Sequence, residues 1–343
     1  MWFVDDIGID LGTASVLVYE KKRGIVLHEP SVVAINNRTG VTLAVGEEAR
    51  KMLGRTPHYI SAIRPLREGV VADYDTTEKM LSYFLRKSMG RRFFKPRVIV
   101  CIPTGATDVE ERAVRQATLA AGAKQAFIIE EPVAAALGAG INIAVPFGNM
   151  VVDIGGGTSD IAVLSLGGIV CDRSLRVGGD KFDEALIRFV RREHQLMIGD
   201  QTAEEMKRLI GTVYITEKNR GKSMEIRGRD LSSGLPKTVT VTAEQTQRAM
   251  MEPANSIVSA VHQVLEATPP ELAADIVNNG IVMTGGGALL NGLDRLLSEN
   301  VNLPVHIADE AISCVARGTG RALKEMDLLS RTDKRGVSRG GWK

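Results

Sequence analysis

The chain has 343 residues, 44% of them hydrophobic, and a formal net charge of +2. That length exceeds one ordinary core and suits at least two domains, and the apolar content excludes wholesale disorder. The near-neutral balance and an aromatic content of 4% exclude a strong nucleic-acid field and a base-stacking surface, so no nucleic-acid partner is expected.

The first segment, "DIGIDLGTASVLVYEKKRGIVLHEPSVVAI", alternates β-branched runs with the turn signals "LGTAS" and "KKRG", and predicts successive hairpin strands. Glu47 to Gly54 predicts a short helix, Thr76 to Met89 a longer one, and Arg97 to Ile102 a buried strand. Asp108 to Ala121 reads as a charged amphipathic helix, Ala126 to Ile129 as a short strand, and "EEPVAAALGAG" as a helix with Pro132 at its first position.

The pattern then restarts. "MVVDIGGGTSDIAVLSLGGIVCDRS" predicts another glycine-turned hairpin with a further strand. "GGDKFDEALIRFVRREH" is a helix opened by Asp180. "TAEEMKRLIGTVY" is a helix with Thr202 as cap and Glu205 three residues on. "SMEIRGRD" and "KTVTVTAEQ" alternate like edge strands, and Ala243 to Glu266 is helical. "GIVMTGGGALLNGLDRLLSE" reads as strand, glycine turn and helix; a helix after Gly318 leads into a basic tail without a core pattern.

Three separated cysteines, Cys101, Cys171 and Cys314, with no CxxC, predict a reducing cytoplasm rather than disulfides or zinc. The start, "MWFVDD", turns acidic at once, unlike a signal peptide, and no apolar run reaches the roughly 20 residues of a spanning helix.

The organising feature is an internal repeat: "IGIDLGTASVLV" (7–18) and "MVVDIGGGTSDIAVL" (150–164) share apolar run, Asp, Gly/Thr turn and apolar run. A Gly/Thr turn exposes successive backbone N–H groups and makes a nest for anions, phosphate above all. Two such turns can close on a polyphosphate from both sides. Asp10 and Asp153 would then face the phosphates across Mg²⁺, through water, because a bare carboxylate repels phosphate. No GxxxxGK[ST] is present, and these turns lead into strands, which argues against Walker and Rossmann sites. The third turn, "TGGGALLNGL" (284–293), fits either close approach to a flat base or a phosphate, or close strand–helix packing.

"DLGT", "DIGGGTSD" and "TGGGALL", in this order, resemble the actin, Hsp70 and sugar-kinase ATPase superfamily. "VGEEARKMLGRTP", "AIRPLREGVVADYD", "IRGRDLSSGLPKTV" and "ATPPELAADI" are similar to segments of its bacterial actin branch, the MreB/Mbl family. The resemblance covers residues 5 to about 328. It implies an α/β actin-like fold of two duplicated domains around an ATP cleft. Domain I would comprise 1–141 plus 316–330, with a small subdomain at about 30–73. Domain II would comprise 142–315, with a small subdomain at about 181–250, and 331–343 form the tail.

By that resemblance Gly12, Thr13, Ala14 and Ser15 form the first phosphate loop, and Gly155, Gly156, Gly157 and Thr158 the second. Ser15 stands where the family usually has Asn. Gly285, Gly286, Gly287 and Ala288 would face the adenosine, and Glu204 and Lys207, one helical turn apart, the ribose and base. Without the family, those two read as a solvated ion pair. Glu131 matches the position that orients the attacking water, with Thr158 holding that water from the other side. The other reading of Glu131 is a helix N-cap carboxylate beside the helix dipole, a role that can coexist with the favoured catalytic one.

"MGRRFFKPR" sets Phe93 and Phe94 among cations, a composition suited to an anionic membrane, and "MWFV" adds Trp2 and Phe3. The other reading packs Phe93 and Phe94 on their own domain. Val109 would serve pairing of protofilaments, antiparallel in the family manner. The resemblance thus implies a slow ATPase that polymerises on the inner face of the cell membrane. It would organise cell-wall synthesis and rod shape with membrane proteins such as RodZ, MreC and MreD. A monomeric small-molecule kinase and an Hsp70-like chaperone are the alternatives. The first lacks a signature for a catalytic Asp or substrate pocket, and the second a peptide-binding domain.

Overall fold

The computed structural model describes residues 6–89 and 95–333. Trp2, Phe3, Phe93, Phe94 and the tail beyond residue 333 lie outside the described residues.

Two five-stranded sheets carry the fold, and they are topological copies. In the first, Asp6–Leu11 pairs antiparallel with Ser15–Glu20, which pairs antiparallel with Gly24–Pro30. Arg97–Ile102 lies parallel on the other side of Asp6–Leu11, followed by Gln125–Glu130. In the second, Asn149–Ile154, Ser159–Ser165 and Gly168–Leu175 form the same antiparallel series. Ile281–Thr284 and Val305–Ile307 complete it in parallel. The repeat read in the sequence is therefore a repeat of topology. Asp10 and Asp153 occupy the same penultimate place in the first strand of each sheet.

Smaller sheets stand above each copy. Val33–Asn36, Thr42–Val45 and Ile60–Ile63 form one, and Leu196–Met197, Ser223–Asp230 and Pro236–Thr242 the other. The alternation of "SMEIRGRD" has one side buried at Ile226 and the rest largely in solvent, as an antiparallel sheet with one wet face requires.

Helix starts differ from the sequence reading. Gly179–His194 begins before Asp180 with Gly178 at its cap, and Asp200–Leu209 begins before Thr202 with Gly199 at its cap. Thr202 is thus inside the helix and caps nothing. The capping boxes lie at Thr107/Glu110 and Thr242/Gln245, opening Asp108–Ala120 and the long helix Ala243–Ala267. The helix Pro270–Asn279 is an element the periodicity did not mark, and the last helix, Cys314–Asp333, starts ahead of Gly318.

Helices Glu131–Ala139 and Cys314–Asp333 cross with their backbones almost touching. A Cβ on Gly138 would lie 1.8 Å from the Cys314 carbonyl oxygen, and one on Gly318 1.7 Å from that of Ala134. Ala134, Ala135 and Ala136 fill the same layer, fully buried. The last helix also seats on the first sheet, where a Cβ on Gly8 would meet Thr319 Oγ1 at 1.9 Å. Glycine inside a helix costs about 0.5–1 kcal/mol, and here the close approach offsets that cost. Gly318→Val is therefore expected to destabilise the protein by about 3 kcal/mol or more, because no rotamer avoids the carbonyl. A thermal melt checks this, and an unchanged melt would contradict the crossing geometry.

Candidate functional site

The cleft between the two sheets encloses about 750 Å³ and is lined by both hairpin turns, the third glycine turn, and residues of the helices Glu47–Arg50 and Asp200–Leu209. In the first turn the Gly12 amide donates to the Ser15 carbonyl at 3.1 Å, and Ser31 braces it, its hydroxyl donating to the Gly12 carbonyl and its amide to that of Ala14. In the second, the Gly155 amide donates to the Thr158 carbonyl at 2.9 Å. The first amides of helix Gly179–His194 are spent on this turn: Gly179 donates to the Gly155 carbonyl and Asp180 to that of Gly156. The second turn's carbonyls are thus held from behind. Among the described residues the amides of Thr13, Ala14, Gly156 and Gly157 donate to no protein acceptor. Together they form a two-sided anion nest.

The two turns abut. A Cβ on Gly156 would lie 2.5 Å from the Ala14 Cβ, and one on Gly157 2.5 Å from Thr13 Oγ1. The third turn mixes both readings left open by the sequence. Cβ atoms on Gly285 and Gly287 would strike Ile154, at 2.3 and 2.2 Å, so these two glycines serve packing, whereas Gly286 faces open space. All three line the cleft. Ala288 does not: it is fully buried in the core of the second domain, because the turn continues as the 3₁₀ segment Gly286–Leu289 and rotates that side chain inward.

Asp10 and Asp153 meet at the cleft floor. Burial, then the charge of Asp153, pushes Asp10 up to about 8. Burial raises Asp153 to about 7 against the hydrogen bond from Thr284 Oγ1 at 2.6 Å, with Asp160 adding to the rise. Two carboxyl groups this reluctant to ionise together form a site that calls for a cation. Among the described residues no cluster of three or more His, Cys, Asp or Glu converges on a metal site. A pair of carboxylates fits an ion such as Mg²⁺, which takes one or two carboxylates and completes its shell with water and phosphate.

Glu131 is 8% exposed and is the first residue of its helix. The cap is Glu130, without a side-chain hydrogen bond, so the N-cap reading of Glu131 does not hold and Pro132 sits one position further in than expected. The Glu131 carboxyl instead lies within electrostatic reach of Asp160, on the strand Ser159–Ser165. Burial, then Asp160, Asp153 and Asp10, drive it well above the usual carboxylate range. Asp160 is fully buried; its Oδ1 accepts from the Thr104 amide at 2.9 Å and hydroxyl at 3.2 Å, across the domain boundary. Its Oδ2 is buried and has no hydrogen-bond partner among the described residues. Sequence reasoning passed over Asp160. Its one signal was a carboxylate inside the otherwise apolar run of a strand that is buried along its whole length. Thr158, 6% exposed, lies beside this group.

Glu204 and Lys207 share a helix face and both line the cleft, but they do not pair with each other. Lys207 Nζ contacts Asp183 at 2.8 Å and the Gly179 carbonyl at 2.9 Å. Glu204 pairs with Arg50 of the short helix Glu47–Arg50, across the cleft, at 3.2 Å. Gln201 donates to the Arg50 carbonyl at 3.0 Å, and Arg64 reaches Asp180 at 2.7 Å. These cross-cleft arginines were invisible to the sequence because each matters only through its partner in the other domain.

The chain matches the MreB/Mbl protein family over residues 4–331. It is 54% identical to the cell shape-determining protein Mbl of Bacillus cereus over 328 residues, 95% of this chain and 98% of that one. The chain belongs to the MreB/Mbl family. It is also 51% identical to the cell shape-determining protein MreB of Escherichia coli, over 95% of both chains. The structure of MreB5 of Spiroplasma citri bound to AMPPNP superposes with a TM-score of 0.92, at 37% identity, over 97% of this chain and all of that one. The actin-like fold expected from the motifs is the fold of this MreB/Mbl protein. Among the described residues no helix is long and apolar enough to cross a membrane.

The raised aspartates set a pH dependence for this family member. Native Asp10 and Asp153 hold protons up to about 8 and 7, while in the unfolded chain they release them near 3.8. Between those limits the native state binds more protons, so stability falls as pH rises through the window. The nucleotide-free protein is expected to melt at lower temperature at pH 8 than at about pH 5. Asp10→Asn should flatten that slope; an unaltered slope in the variant would count against the pairing.

Proposed function

We propose that this MreB/Mbl protein binds ATP in the cleft, hydrolyses it slowly, and polymerises into membrane-associated filaments that organise cell-wall synthesis and rod shape. The observation that carries the reading is the pair of abutting glycine turns with four undonated amides, closed over Asp10 and Asp153. The AMPPNP held by the Spiroplasma citri relative and the cell-shape role in the names of the Bacillus and Escherichia relatives support it.

In this reading Gly12, Thr13, Ala14 and Ser15 grip the phosphates from one side, and Gly155, Gly156, Gly157 and Thr158 from the other. Glu204, Lys207 and Gly286 flank the nucleoside. Asp10 and Asp153 would hold Mg²⁺, which supplies charge neutralisation along the phosphates. Glu131 and Thr158 orient the attacking water. Burial drives the Glu131 carboxyl toward its protonated form, and in this reading it would act by hydrogen bonding and position rather than as a strong base.

Self-association would use Val109, 70% exposed in the first turn of helix Asp108–Ala120. Membrane contact falls to Phe93 and Phe94, with Trp2 and Phe3. Burying two phenylalanines contributes about 3–6 kcal/mol before entropic losses, weak for one subunit and strong for a filament presenting many copies. Partners such as RodZ, MreC and MreD would be met at that surface.

Pelleting with ATP and Mg²⁺, with and without anionic liposomes, tests this. Nucleotide-dependent pelleting is expected, with lipid co-sedimentation lost in Phe93→Ser/Phe94→Ser. A protein that stays monomeric with ATP, Mg²⁺ and lipid would refute the filament reading.

A further inference from the structure

One element at the cleft belongs to neither phosphate turn. Leu66–Arg67 and Val70–Val71 form a two-residue hairpin. Its tip, Glu68–Gly69, has φ of 49° and 78°. Positive φ at both central positions is what a tight hairpin turn demands, but Asn, Asp or Gly normally fills the first of them. A glutamate there holds a strained backbone, and such strain persists only where the surroundings over-determine it.

The surroundings are Thr13 of the first turn and Thr158 of the second. The Gly69 amide donates to Thr13 Oγ1 at 3.1 Å. A Cβ on Gly69 would lie 2.7 Å from both Thr158 Cγ2 and Pro103 Cγ, so only glycine fits there. The Glu68 Cα sits 3.0 Å from where a Cβ of Gly157 would be. The tip is thus wedged against the first turn through Thr13 and against the second through Gly157 and Thr158. The Glu68 carboxylate then crosses to the other domain, 3.3 Å from Lys181 Nζ and 3.8 Å from Arg176. Leu66, buried, anchors the hairpin at its base.

We propose that the Glu68–Gly69 tip is a positioning element for hydrolysis, fixing Thr158 against the water it would hold and coupling that fixation to closure of the small subdomain through Glu68. This rests on the reading of Thr158 and Glu131 as the water-orienting pair. The tip acts through Thr13 and Thr158. A shift of Thr158 by an ångström suffices to slow an aligned reaction while leaving the phosphate nest intact.

The test is steady-state phosphate release together with AMPPNP affinity, measured on the full chain with Mg²⁺. Gly69→Ala is expected to lower kcat by about tenfold or more while AMPPNP binds within about threefold of wild type. Thr158→Ser in the Gly69→Ala background removes the methyl that the new Cβ strikes and keeps the hydroxyl, so kcat should recover part of its loss. Glu68→Gln, which leaves the backbone alone, should lower kcat by a smaller factor with the same unchanged affinity. Wild-type kcat in Gly69→Ala overturns the proposal, as does an affinity loss equal to the kcat loss, or no recovery with Thr158→Ser. Glu131→Ala run beside them separates the readings. Wild-type turnover in that variant sinks the catalytic assignment, whereas a dead Glu131→Ala beside a fully active Gly69→Ala sinks the tip's role alone.

Discussion

Glu131→Ala is expected to bind ATP within about threefold of wild type and to lose phosphate release by about a hundredfold or more. The separation follows from where the side chain sits. Glu131 is the opening residue of a helix at the cleft wall, and its carboxyl accepts from none of the amides of either phosphate turn. Removing it leaves Gly12–Ser15, Gly155–Thr158 and their bracing by Ser31 and helix Gly179–His194 untouched. Turnover loses the group that fixes the water. Asp160 would keep its two bonds from Thr104, so the second domain's strand stays in place. Glu131→Gln sharpens the test. A neutral amide imitates a protonated carboxyl, so Gln should keep more activity than Ala if Glu131 works by orientation. Equal loss in both would assign it the role of a base. Single-turnover phosphate release with a parallel binding titration distinguishes these outcomes.

The fold was legible where local chemistry repeats. "DLGT" and "DIGGGT" mark the same hairpin twice, and the two sheets have the same order and sense. Cys101 was placed on a buried strand, and it is buried. What stayed illegible depends on contacts between distant segments. Thr202 and Glu205 carry the letters of a capping box, yet the helix starts earlier at Gly199 because the strand Leu196–Met197 delivers the chain there. Glu204 and Lys207 were placed on one face correctly, but their partners, Arg50 and Asp183, lie elsewhere in the chain. Glu68 offered no signal at all: its φ and its ion pairs exist only once the first small subdomain meets the second domain.

The three adjacent glycines of the second turn are expected to respond very differently to substitution. Gly156→Val should weaken ATP binding by about a hundredfold or more, because its side chain enters the seam between the turns. A Cβ there already lies 2.5 Å from the Ala14 Cβ and 3.1 Å from the Ala14 amide nitrogen, one of the groups that would grip phosphate. The seam can relieve the clash only by opening, which separates the two halves of the nest and carries Asp10 away from Asp153. Opening costs little core packing, so the melting temperature of the nucleotide-free protein should change far less than in Gly318→Val. Gly155→Ala is the internal control. A Cβ at that position meets nothing nearer than the Thr158 carbonyl oxygen at 3.5 Å, an ordinary contact, so ATP should bind almost as in wild type. Isothermal titration with AMPPNP and Mg²⁺ on both variants decides the matter. If Gly155→Ala and Gly156→Val lose affinity alike, the glycines serve the turn's own backbone and the two turns do not act as a clamp. If only Gly156→Val loses it, the glycine run is there for the approach of one domain to the other.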